Sequence, residues 1–158
     1  MMEKVALRQV FFGGITVQVP EIWTVETEET IEADGSKVSS ISISANGKDV
    51  GGIDISYGPM PEGSDAYSEA CGTYEEVVAE EDIDVDGEPI VCFQFKDYKA
   101  YGFNVWTDDG LPCFFFCIDI PSEGRTDLLT VLVSATDNEE LQSMLDYAEE
   151  YISVDKTN

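Results

Sequence analysis

The sequence contains no histidine, and its 158 residues hold only eight lysines and arginines against 33 aspartates and glutamates, a formal net charge of -25. Without imidazole there is no His-based acid–base pair, no His-dependent nucleophilic triad and no His-ligated metal site. The scarcity of positive charge is equally restrictive. A surface this negative repels phosphate backbones and anionic headgroups, which argues against nucleic-acid binding by counterion release and against docking on acidic membranes. Long apolar runs are missing as well. The Phe-rich run from Phe114 to Ile118 is closed by Asp119, far short of the roughly 18 residues of a membrane-spanning helix. Glu3, Lys4 and Arg8 interrupt the opening residues before the apolar stretch of an export signal can form. The expected location is the cytoplasm, for a chain from which no leader has been cut. Also absent are the Gly-x-Ser-x-Gly elbow, the Gly-x-x-x-x-Gly-Lys phosphate loop and the Gly-x-Gly-x-x-Gly fingerprint.

Cysteine is sparse: Cys71, Cys92, Cys113 and Cys117 could make two disulfides, one zinc site or four ordinary thiols. Cys113 and Cys117 lie in one strand-like run, which sets their Cβ atoms about 13 Å apart at roughly 3.3 Å per residue, too far to pair with each other. No Cys-x-x-Cys knuckle is present, so a four-cysteine zinc site is disfavoured. Small buried hydrophobes in a reducing compartment is the preferred reading.

What the chain does have is apolar material: 43% hydrophobic residues, including two tryptophans, seven tyrosines and eight phenylalanines. That suffices for one globular domain spanning 1–158, with disorder confined to the ends outside about 11–154. Periodicity gives the class. Ile15, Val17 and Val19 alternate with polar neighbours up to Pro20, and Val25 to Ile31, Lys37 to Ala45 and Val50 to Tyr57 continue in the same period of two. Asp34-Gly35 and Asn46-Gly47 supply turns, so this third predicts a meander of four antiparallel strands. Ser64 or Asp65 then caps a helix with the stripe Tyr67, Ala70, Cys71, Tyr74, Val77 and Val78, in which Gly72 is a weak point.

Period two returns in Ile83 to Val85, Ile90 to Phe95, Tyr101 to Thr107 and Leu111 to Ile120, with Asp109-Gly110 as a hairpin turn. Leu128 to Ala135 is apolar on both parities, as a central strand covered on both sides should be. Asp137 and Glu140 open a second helix whose stripe is Leu141, Met144, Leu145, Ala148, Tyr151 and Ile152. The order strands, helix, strands, helix with hairpin-length links predicts an α+β fold, an antiparallel sheet of about seven to nine strands carrying two main helices.

Three features compete as sites. Asp82-Ile-Asp84-Val-Asp86-Gly87 opens like an EF-hand loop, but the twelfth position is Phe93 rather than glutamate, and Pro89 falls within it. A short acidic strand before an Asp-Gly turn explains Asp82, Asp84 and Asp86 better, with calcium as the alternative. Adjacent acids such as Glu28 and Glu29, Glu75 and Glu76, or Glu80 and Glu81 follow from abundance, and nothing places one of them in the apolar pocket that catalysis would need. Aromatics are the third. Trp106 shares parity with Asn104 and Asp108, Tyr98 sits in the charged connection around Lys96-Asp97, and Phe115 shares parity with Cys113 and Cys117. Aromatics on a polar face serve as binding anchors, although a helix covering that face is the weightier explanation.

Phe12-Gly13, the strand Ile15 to Pro20 and then Trp23 resemble the opening of the PsbP-like and Mog1-like group of α+β domains, although that group's glycine before the tryptophan is Ile22 here. Val131 to Ala135, leading through Glu140-Leu141 into a helix that ends near Ile152-Ser153-Val154, is similar to the group's close. The resemblance implies the group's sandwich fold over about 11–154 and a binding role. Its members include a nuclear GTPase partner, photosynthetic subunits, bacterial envelope proteins and toxin chaperones, and no shared catalytic motif carries over.

The functional expectation is a non-enzymatic module without a cofactor that binds another protein, with Trp106, Tyr98 and Phe115 as contacts. An adaptor, chaperone or immunity protein would fit, and a basic partner is the one its charge would steer. A small-ligand or calcium-binding domain is the alternative.

Overall fold

The computed structural model describes residues 7–12, 15–20, 23–31, 35, 37–44, 52–60, 63–80, 90–95, 98–106, 111–122 and 125–154. Among these residues, ten strands and two helices follow one another as β1 (Leu7–Phe12), β2 (Ile15–Pro20), β3 (Thr24–Ile31), β4 (Lys37–Ser44), β5 (Gly52–Pro59), α1 (Ala66–Glu80), β6 (Val91–Phe95), β7 (Tyr98–Trp106), β8 (Pro112–Ser122), β9 (Arg125–Ser134), α2 (Asn138–Tyr151) and β10 (Ile152–Val154). Seven strands form one antiparallel sheet in the order β3-β4-β5-β9-β8-β7-β6, and three form a smaller one in the order β1-β2-β10. The chain is thus an α+β domain built on an antiparallel sheet with two helices, as its periodicity predicts. Among the described residues, no helix is long and apolar enough to cross a membrane.

One expectation needs correcting. The strand at Ile15 does not join the meander of β3, β4 and β5. It pairs with β1, from Leu7 opposite Pro20 to Phe12 opposite Ile15, and with β10, where Ile152 faces Val17. The physical reason is the burial of its alternating face. Ile15, Val17 and Val19 are fully buried and pack onto Ile41, Ile43, Ile53 and Ile55 of the main sheet, so the small sheet lies over that half as a lid.

The other half of this face is covered by α2. Asp137 caps it, its Oδ1 accepting the Glu140 N–H at 2.8 Å, while the Glu140 carboxylate accepts from the Thr136 N–H at 2.7 Å. Leu141, Met144 and Ala148 bury against the sheet, and the Tyr147 hydroxyl donates to the carbonyl of Gln18, tying helix to lid. Trp23 stacks on the Tyr147 ring with centroids 5.0 Å apart.

Helix α1 covers part of the opposite face, over β7 and β8. Asp65 rather than Ser64 is its cap, with Oδ1 accepting the Ser68 N–H at 2.8 Å. Asp119 on β8 accepts the Ala66 N–H at 2.8 Å, which satisfies another free donor of the first turn and pins the helix to the sheet. Ala66, Ala70 and Cys117 make the small core there, with Tyr101, Phe115 and Leu128 against it. Strand β9 is the middle of the seven and has apolar side chains on both faces, the sandwiched position its sequence predicts.

Gly35 and Gly102 are among the glycines required where they stand. Gly35 turns between β3 and β4 at φ +89°, and a Cβ on Gly102 would come within 2.3 Å of the Phe115 carbonyl oxygen. Gly72 of α1 is different, since a Cβ there would meet nothing within 4 Å. Gly72→Ala is therefore expected to stabilise the protein by about 0.5–1 kcal/mol, visible as a rise of roughly 1–4 °C in the calorimetric melting temperature. A lower melting temperature would mean that the helix bends at Gly72.

Candidate functional site: an apolar groove beside the sheet edge

Helix residues three and four apart share a face, so the stripe beside the buried one on α2 is Gln142, Leu145, Asp146 and Glu149. It looks down on the end of the sheet. Strand β6 alternates, with Val91, Phe93 and Phe95 on the α2 side, opposite Gly102, Ala100 and Tyr98 of β7. Between strand and helix runs a groove of about 250 Å³ lined by these residues together with Phe114 and Phe116.

The floor is an aromatic cluster. The Phe116 ring lies 5.2 Å from that of Phe95, 5.3 Å from that of Phe93 and 5.9 Å from that of Phe114, and Phe93 is 5.5 Å from Phe114. These tilted and edge-on contacts suit ring quadrupoles and make a rigid base. The top is half open. Val91 is 41% exposed and Phe93 is half-buried, while Asp146, which accepts from Gln142 Nε2 at 3.1 Å, and Glu149 stand exposed above them. An apolar slot with carboxylates at its rim can hold an apolar side chain and attract cations beside it.

A second concavity, of about 560 Å³, lies on the opposite face of β3, β4 and β5, where Glu26, Glu28, Asp54, Ser40, Ser42 and Ser56 point outward. Ser42 Oγ donates to Asp54 Oδ1 at 2.7 Å, and the Ser40 and Ser56 hydroxyls are 3.4 Å apart. This surface is polar and open. Among the described residues, no group of cysteines and carboxylates is arranged to hold a metal ion.

The buried reactive groups are quiet. Burial pushes the Cys117 thiol up to about 12, with smaller contributions from the Glu69 and Asp119 charges set against a hydrogen bond to Thr130, and burial likewise raises Cys113. A thiol held protonated at neutral pH is a poor nucleophile. All four cysteines are free thiols, but only Cys113 and Cys117 are the buried hydrophobes expected; Cys71 is half-buried and Cys92 is exposed on β6. Asp127 is the one buried acid among the described residues, and its Oδ2 accepts the Tyr57 hydroxyl at 2.6 Å. That bond fastens β5 to β9 at one end of the sheet.

Two of the aromatics singled out from the sequence, Phe115 and Tyr98, pack into different clusters. Phe115 lies under α1, half-buried against the Phe103 ring at 5.4 Å. Tyr98 is the first residue of β7 rather than part of a connection, and packs on the main core from the α2 side. Trp106 ends β7 opposite Pro112. Asp82, Asp84 and Asp86 lie outside the described residues, as does the strand expected at Ile83 to Val85. The groove residues carry a sequence signal that is easily overlooked: β6 is free of charge in a chain that is 26% charged.

No protein-family model matches the sequence, and no curated protein matches it either. Among solved structures, the chain is similar to cyanobacterial PsbP (CyanoP) from Synechocystis sp. PCC 6803, with a TM-score of 0.61 over 96% of this chain and 94% of that one, at 11% sequence identity. The likeness is one of fold: this chain and that protein share an α+β architecture.

Proposed function

We propose that the protein is a non-enzymatic module that binds another protein, a basic one, in the cytoplasm. The observation that carries this reading is the groove between α2 and β6, an aromatic slot beneath Asp146 and Glu149. Burial of apolar side chains supplies affinity, and a net charge of -25 speeds the encounter with a cation and rejects anions. The chemistry elsewhere supports binding over catalysis: Cys117 keeps its proton, and Asp127 is engaged by Tyr57. Four free thiols suit a reducing compartment.

The test is recovery of a partner on the immobilised protein across a salt series, comparing the native chain with Leu145→Asp and Asp54→Asn. Leu145 lines the groove, whereas Asp54 lies on the opposite face of the sheet. Binding is expected at low salt, with release as ionic strength rises, loss in Leu145→Asp and retention in Asp54→Asn, the fold of each being checked by circular dichroism. Recovery that is indifferent to salt, or unchanged by Leu145→Asp, would remove the proposal.

A further inference from the structure

The two edges of the main sheet differ in chemistry. Along β3 the residues Glu26, Glu28 and Glu29 are all exposed, and charge on an edge strand deters the approach of another strand. At the other end, β6 reads Val-Cys-Phe-Gln-Phe, without a charge and with Val91, Cys92 and Gln94 exposed. Among the described residues, no strand lies beyond it. An uncharged edge is a template for strand pairing, and here it continues directly into the groove under α2.

We infer that β6 accepts an extended cationic segment of the partner as an eighth strand, a mode that rests on the binding role proposed above. A strand added about 4.8 Å outside β6 would turn every second side chain toward α2. Apolar side chains at those positions meet Val91, Phe93 and Leu145, and lysines or arginines among them meet Asp146 and Glu149. Main-chain hydrogen bonds hold the segment, and the alternate pockets select its sequence. A second copy of this chain does not fit the slot, because each copy brings a charge of -25.

The probe is a synthetic peptide of the repeat Val-Ser-Lys-Ser, which sets valine and lysine in turn on one face of the strand, followed by fluorescence anisotropy. Two companions accompany it: the same peptide with alternate backbone amides N-methylated, and one with glutamate in place of lysine. The lysine peptide is expected to bind and to protect amides of residues 91–95 from hydrogen exchange, while both companions fail. Asp146→Lys combined with Glu149→Lys, two exposed positions that leave the core intact, is expected to weaken binding about tenfold or more. Equal binding of the N-methylated peptide would reduce the contact to charge alone and overturn strand addition, as would protection along β3 or no binding of the lysine peptide. If the natural partner still requires Leu145 while the lysine peptide does not engage β6, strand addition fails and the binding module stands. Loss of the Leu145 dependence removes both.

Discussion

Replacing Phe116 by alanine is expected to remove about 3–5 kcal/mol of stability, measured by equilibrium urea denaturation. Phe116 is fully buried and touches the rings of Phe93, Phe95 and Phe114, so truncation loses its transfer free energy and opens a void that three neighbouring rings cannot all collapse into. Against a total of roughly 5–15 kcal/mol for a domain, the loss is a large fraction. Phe116→Leu, which keeps most of the volume, should cost about 1.5 kcal/mol or less. A loss below about 1 kcal/mol for the alanine variant would show that the cluster repacks, and would undercut the idea of a rigid groove floor.

The second large effect is that of salt on the protein alone. At most eight of the 33 acids can find a basic partner one to one, so most of the negative charge on the folded protein is balanced by solvent ions. Raising ionic strength from about 0.01 M to about 0.15 M shortens the screening length from roughly 30 Å to roughly 8 Å. The compact state holds its charges closer together than the unfolded chain and gains more from that screening. The melting temperature should therefore climb through this range and flatten above it. A flat profile from the start would mean that the charges are already neutralised by bound ions.

Elements marked by local chemistry are legible in the sequence. Helix α2 announces itself through Asp137, Glu140 and the stripe from Leu141 to Ala148, and β9 through apolar residues on both parities. What cannot be read locally is which surface an element meets. Alternation at Ile15, Val17 and Val19 gives a half-buried strand without saying which sheet it joins, and Arg8 and Gln9 hide its partner β1. Tyr98 looks like loop because Lys96-Asp97 reads as a charged connection, yet two residues suffice to link Phe95 to Tyr98. The groove is the least legible feature, since Phe93 and Leu145 come from distant parts of the chain and meet only once α2 is laid on the sheet.

The central strand of the sheet is also the last of its seven to leave the ribosome. While β9 is still missing, β3 to β5 and β6 to β8 are two separate ribbons, each presenting an isoleucine- or phenylalanine-rich flank to water. Only once it emerges can β9 pair with both β8 and β5, a closure marked by the Tyr57–Asp127 bond across 70 residues. Translation order thus creates an interval in which the nascent protein is itself sticky, and shielding by a chaperone would matter most there.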